Sequence, residues 1–441
     1  MQVMKWSALA LAVTAGTTQL AFASAQSESK GFVEDSSFDI FNRALYMNRD
    51  FKHGYSNVSP ANKVKGDRTG YREETGLGIR LLFESGFTQG TVGVGFDAHS
   101  LTNIKIDSGR GRHSNSMFAT TDDGRADDTT TEVGGAVKFR ISDTVLKYGN
   151  QFVASPVFST DDSRVLPEVA TGTYLVSNEI EGLELSAGRF TAMNSQTNTW
   201  NDSINGRGDD GKKAPGLTSA DIVGASYAFT DNLSGSVHAS DVEDYWKKYY
   251  GNLNYTLPLA EEQSLNFDFN IYKTDYENDY SNDEFDDNTV WSLATAYSLG
   301  AHKFTVAYQR SSGDAGYAYG VDGVGTIWLN NSVQISDFVG EDEKSWQVRY
   351  DLDMASYGVP GLSFMTRYIT GEDITIAGTN EEGKEHEWNA EAKYVIQEGA
   401  AKDLSFRLRH AVHRANTVEN GANYTDLNDT RLIVEYPLDV L

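Results

Sequence analysis

Along residues 404–414, LSFRLRHAVHR, apolar and polar side chains alternate one for one. Leu404, Phe406, Leu408, His410 and Val412 share one face; Ser405, Arg407, Arg409, Ala411 and His413 share the other, because a strand sends successive side chains to opposite sides. In a soluble sandwich the apolar face would meet a core and the arginines bulk water. In an outer-membrane barrel the apolar face meets lipid and the arginines line a wet lumen. The rest of the chain favours the barrel.

The same period recurs from Leu77 onward. Leu77, Ile79, Leu81 and Phe83 alternate with Gly78, Arg80, Leu82 and Glu84; residues 85–90 turn, and Val92, Val94, Phe96 and Ala98 run back. Two such runs around a short glycine-containing turn are a hairpin signal. Further pairs are predicted across Ser142-Asp143, across residues 230–232, across the acidic turn after Leu257, and across residues 300–302. Trp346 to Leu352, Trp388 to Ile396 and Leu432 to Tyr436 continue the alternation. Between the hairpins lie long polar segments: the basic loop after Phe51, Asn103 to Thr131, and Ser155 to Gly172. The last carries two prolines and no alternation, which argues against a central strand. Short turns at one end, long loops at the other and aromatics near strand ends predict an all-β, transmembrane antiparallel barrel.

Composition adjusts this picture in three ways. Residues 1–25 carry a single charge, Lys5, an apolar run, and two overlapping A-x-A sites ending at Ala25. They read as a secretory signal peptide, leaving 26–441 as one barrel domain. No stretch reaches the roughly 18 consecutive apolar residues of a membrane-spanning helix. The mean hydropathy of −0.45 is no objection, because a barrel alternates its lipid-facing residues with polar ones. Cysteine is absent, 41 glycines and 7 prolines suit many turns, and the formal charge is −26. That excludes a disulfide scaffold and cysteine-ligated metal, and implies no nucleic-acid partner.

Against so acidic a background, a basic strip stands out. Arg407 and Arg409 share a face, Lys393 comes from the preceding strand and Arg431 from the following one, all at lumen parity. A guanidinium matches a carboxylate bidentately and stays charged, so such a strip suits the passage of anions. Other motifs carry less. The acidic run Asp275 to Asp287 lacks the frame of a calcium loop, and GRGDDGKK (206–213) lacks that of a phosphate loop. His410 and His413 fall on opposite faces, and no local motif marks a nucleophile. No metal site, cofactor or enzyme is expected.

The sequence resembles the OprD-type, substrate-specific outer-membrane porins. The stretches that carry the resemblance are GFVEDSSFDIFNRALYMNRDF, ESGFTQGTVGVGFDA, PVFSTDDSRVLPEVATG, NLNYTLPLA, EKSWQVRYDLDMASYGVPGLSFMTRYI, AKDLSFRLRHAVHRAN and RLIVEYPL. The resemblance implies about eighteen strands, inward-folded loops that narrow the pore, and passage of small carboxylates along a basic ladder. It implies ladder roles for Arg49 in N-R-D, Arg68 in G-D-R, Arg164 in the constriction loop, Lys393, Arg407, Arg409 and Arg431. Members that admit basic amino acids place an acidic residue where this chain has Gly325, with Asp322 three residues away. Selectivity for basic amino acids is therefore in question. Partners expected are small carboxylate solutes, outer-membrane lipid and lipopolysaccharide, with the protein a monomer or a loose trimer. An oligosaccharide channel would need a lumen track of aromatics, whereas those placed by parity mostly face lipid; an anchor or adhesin would need a blocked lumen.

Overall fold

The computed structural model describes residues 24–53, 70–109, 111–200, 216–277, 286–423 and 426–441. The predicted leader lies almost wholly outside them, as do Arg68, GRGDDGKK and most of the acidic run after Asp275.

The alternating segments form eighteen barrel strands, each antiparallel to both neighbours. In chain order they are β1 (Ser37–Phe51), β2 (Tyr71–Glu84), β3 (Gly93–Asp107), β4 (Thr129–Ile141) and β5 (Thr144–Gln151). There follow β8 (Val169–Ile180), β9 (Leu183–Asn194), β10 (Ala220–Thr230), β11 (Leu233–Val242), β12 (Trp246–Ala260), β13 (Gln263–Tyr276) and β14 (Asp287–Leu299). The rest are β15 (His302–Gly313), β16 (Lys344–Asp353), β17 (Leu362–Ile374), β18 (Gly383–Val395), β19 (Ser405–Ala415) and β20 (Leu427–Asp439). β1 pairs with β2 on one side and with β20 on the other, so no edge remains. Closure satisfies every strand's backbone groups, which a bilayer demands. Two tiny strands, β6 (Ala154–Ser155) and β7 (Phe158–Ser159), form a separate hairpin inside the third long loop.

The two-residue turns fall at one end, with positive φ at Ser142, Gly182, Glu262 and Gly300. Tight hairpins need that left-handed backbone because it matches the strand twist. This is the periplasmic end in barrels of this class. The outer face is apolar as predicted: Phe406 is 42% exposed and Leu408 50%, while Arg409, the next residue of β19 and inward-facing, is only 9%. Trp346, Trp388, Tyr368 and Tyr394 also face outward.

Two loops fold inward rather than over the rim. The first, 152–168, rests on a flattened part of β2: a Cβ at Gly78 would lie 2.6 Å from the Val165 carbonyl oxygen, so a side chain there would push the loop off the wall. Val165 joins Leu45, Met47, Met117 and Phe118 in an apolar patch that would otherwise face water. The second, 314–343, covers a larger patch on the facing wall, where Tyr250, Tyr272 and Val290 meet Tyr317, Ile327 and Leu329. Burying such patches supplies roughly 25 cal/mol per Å² of apolar surface, enough to hold a loop in the lumen.

Two boundaries and the placing of the aromatics differ from expectation. Val169 to Gly172 belongs to β8 rather than to the loop, because these residues pair with β9. The connection read as Asn103 to Thr131 shrinks to 108–128, its ends drawn into β3 and β4. Finally, inward aromatics are common. Tyr250 and Tyr272 stand at lumen parity, buried beneath Trp328 and Tyr317 of the second loop. Loop cover, which periodicity does not encode, makes an inward aromatic favourable.

Candidate functional site

Strand pairing turns the predicted strip into an ordered array, since side chains at paired positions point the same way. One row across the lumen wall runs Arg349, Arg367, Asn389, Ala411, Asp429, Arg49, Arg72, crossing from β16 to β2. The next holds Glu391, Arg409, Arg431, Met47 and Glu74. Below it Lys393 pairs with Arg407, and lower still Glu435 pairs with Arg43. Six of the seven predicted residues therefore gather on one wall or against it; Arg68 lies outside the described residues.

The predicted strip missed Arg43, Arg72, Arg80, Arg349 and Arg367. Parity alone could have found them. Arg367 sits in FMTRY between outward Phe364 and Tyr368, and Arg80 precedes outward Leu81.

The array is not purely basic. Asp162 of the first loop meets Arg43 at 2.7 Å and Arg80 at 2.6 Å. Burial raises its pKa, but Arg80 and Arg43 outweigh that and hold the carboxyl down to about 2. Asp429 accepts from Arg49 at 3.0 Å and Arg431 at 2.8 Å, and its Oδ1 also takes the Gln334 side chain of the second loop at 3.1 Å. Glu391 lies 2.7 Å from Arg407 and 3.2 Å from Arg409. A carboxylate thus stands between Arg407 and Arg409 and offsets their mutual repulsion.

The first loop spans the lumen. At one side Asp162 holds the basic wall; at the other the Pro156 carbonyl accepts from the Tyr272 hydroxyl at 3.0 Å. Glu168 joins it to the second loop, accepting from Val324 N–H at 2.6 Å and Asp161 N–H at 2.9 Å. Burial pushes the Glu168 carboxyl up to about 8. Arg164 reaches the ladder from this loop, its Nε donating to the Asn115 carbonyl at 2.9 Å. Burial, then the guanidiniums of Arg431 and Arg49, push it down to about 9, so it stays charged at neutral pH.

Gly325 has φ +74°, and a Cβ there would sit 2.3 Å from Tyr319 backbone. No acidic side chain fits at that position without moving the loop. Asp322, three residues away, accepts from Leu217 N–H at 2.7 Å through Oδ2, which ties the second loop to a neighbouring one, while its buried Oδ1 has no hydrogen-bond partner. Toward the periplasmic end a cavity of about 410 Å³ opens beside the ladder, lined by Arg349, Asp351, Glu391 and Lys393 and by His302 and Lys303 of a turn.

A closed barrel with an apolar exterior, a charged interior and inward loops is the architecture of an outer-membrane channel. Residues 30–440 match the OprD family of outer membrane porins. Porin D of Pseudomonas aeruginosa is 48% identical over all of both chains. Among solved structures, Acinetobacter baumannii OccAB1 is 33% identical with a TM-score of 0.86, covering 95% of this chain and 100% of that one. Pseudomonas aeruginosa OpdK is 31% identical with a TM-score of 0.79, covering 93% and 100%. The chain belongs to the OprD family of outer membrane porins.

Proposed function

We propose that this porin passes small carboxylate solutes, handed from guanidinium to guanidinium along the wall between β16 and β2. The observation that carries the reading is the register itself. It stacks Arg349 and Arg367, Arg409 and Arg431, and Lys393 and Arg407 at paired positions, so basic groups follow one another down the lumen. Neighbouring rows on a strand lie about 7 Å apart, a span that one small anion can bridge. The solved structure of OpdK is with vanillate, a carboxylate, and this chain shares its fold. The lumen aromatics do not favour a sugar track, since Tyr250 and Tyr272 are buried beneath the second loop and Tyr317 of that loop is buried against Tyr272.

Swelling of proteoliposomes in benzoate, compared with an uncharged aromatic alcohol of the same size, tests the reading. Benzoate should enter several-fold faster at low salt, and the advantage should collapse at 1 M, where the Debye length is about 3 Å. Equal rates at low salt would refute carboxylate selectivity.

A further inference from the structure

Three carboxylates stand between pairs of guanidiniums on the basic wall, and they do different work. Asp162, between Arg43 and Arg80, belongs to the first inward loop and moors it. Asp429, between Arg49 and Arg431, also takes the side chain of Gln334 and moors the second. Glu391 holds no loop. Among the described residues its hydrogen bond is to Arg407 Nη2, and its ion pairs are to Arg407 and Arg409.

The side chains of Glu391, Arg407 and Arg409 are 14%, 15% and 11% exposed, so the trio reaches the lumen rather than being sealed behind a loop. Both arginine contacts use Glu391 Oε2, although an ionised carboxylate accepts through both oxygens. Arg407 Nε is buried without a hydrogen-bond acceptor, and Arg409 Nε makes its 3.2 Å ion-pair contact to that same oxygen without hydrogen-bond geometry. Two guanidiniums gripping one carboxylate is the geometry a permeating carboxylate would adopt there. The protein has put its own anion in that place.

We propose that Glu391 is a specificity-determining residue, a resident carboxylate on Arg407 and Arg409 that each passing carboxylate must share or displace. The inference rests on the carboxylate reading above. Conduction needs sites favourable enough to enter and weak enough to leave. Unopposed, two arginines would hold a carboxylate through charge-assisted, bidentate bonds, and the pore would clog. Glu391 competes for the same donors, so solute binding is brief. The cavity that borders Glu391 and Lys393 gives the released anion its next position.

Single-channel recording with benzoate at 0.1 M salt tests this on the intact barrel, with heat-modifiable gel migration confirming assembly. E391Q should lengthen benzoate dwell about tenfold, corresponding to about 1.4 kcal/mol, and shift the reversal potential toward anions. E391D, which draws the carboxylate back by one methylene, should lengthen dwell by less and serves if E391Q fails to assemble. Unchanged or shortened dwell overturns the proposal, the latter because it marks Glu391 as a mere prop for the arginines. The R407Q/R409Q double variant separates the two ideas. If it keeps the wild-type dwell, the ladder reading falls; if it loses dwell while the Glu391 variants match wild type, only the role of Glu391 falls.

Discussion

The wall from β16 round to β2 and the wall formed by β12 to β14 look alike from the membrane and unlike from the lumen. Outside, Phe406 and Leu408 on one match Leu253 and Leu293 on the other, all similarly exposed. Inside, the second wall carries amides. Asn252 and Asn254 donate to Asp268 Oδ1 at 3.0 and 2.9 Å, Asn270 donates to Oδ2 at 2.8 Å, and Asn266 donates to Asn254 at 2.9 Å. These groups largely satisfy one another. The basic wall instead couples Asp162, Asp429 and Glu391 each to two arginines. Lipid imposes one exterior on both walls, so what distinguishes this channel is written at lumen parity alone.

The comparison breaks most readily at the arginines. R407Q/R409Q should cut benzoate permeation about tenfold at low salt, because charge-assisted hydrogen bonds are about twice as strong as neutral ones, and should move ion selectivity toward cations. N254A/N266A on the other wall should leave the reversal potential where it is. Equal effects from both pairs in bilayer recordings would erase the distinction between the walls.

Next in size is the first loop, which touches both walls. Deleting Phe158 to Glu168 should raise conductance severalfold while the barrel stays heat-modifiable, since barrel strands satisfy their backbone groups without it. An unchanged conductance would place the narrowest point elsewhere.

The moorings should show smaller effects. D162N takes the negative charge and one of the two accepting oxygens from between Arg43 and Arg80. Removing one partner of a buried pair costs about 3–5 kcal/mol, and Asp162, 27% exposed, belongs at the low end. The expected readout is faster protease cleavage of the loop in an intact barrel. In the wild type the Asp162 carboxyl lies near 2, below its ordinary 3.8. Its contribution is therefore present above about pH 4 and lost as pH falls through 2, so current noise should grow only in strong acid.

Glu168 should have the mildest effect and the opposite sign. Its carboxyl lies near 8, above the ordinary 4.5, so the joint between the two loops is intact in acid and weakens as pH rises through 8. Noise that grows between pH 7 and 9 in the wild type but not in E168Q would bear this out; identical profiles would dismiss it.

Much of the barrel was legible because alternation reports the lipid face directly. Phe406, Leu408, Trp388 and Tyr394 were read correctly from their spacing, and with them the inward direction of Arg407, Arg409, Lys393 and Arg431. What stayed hidden depends on contacts between distant segments. Glu391 alternates like its neighbours, yet its place between two arginines follows from the β18–β19 register, which pairs it with Arg409. Tyr250 and Tyr272 break the inward-polar rule because a loop some 40 residues or more further along covers them. Gly325 reads as a missing acid by analogy, whereas its backbone shows a loop that tolerates no side chain there.

The basic wall straddles the seam where the first strand meets the last. Arg49 on β1 pairs in register with Asp429 on β20, residues separated by nearly the whole chain. Loop closure over such a separation is entropically costly and late. Half of the ladder is therefore assembled only by the final act of folding. Until the C-terminal strand docks on β1, Arg49 and Arg72 stand on one side of the seam and Asp429 and Arg431 on the other. The Arg49–Asp429 pair is therefore made by the same β1–β20 closure that removes the barrel's last free edges.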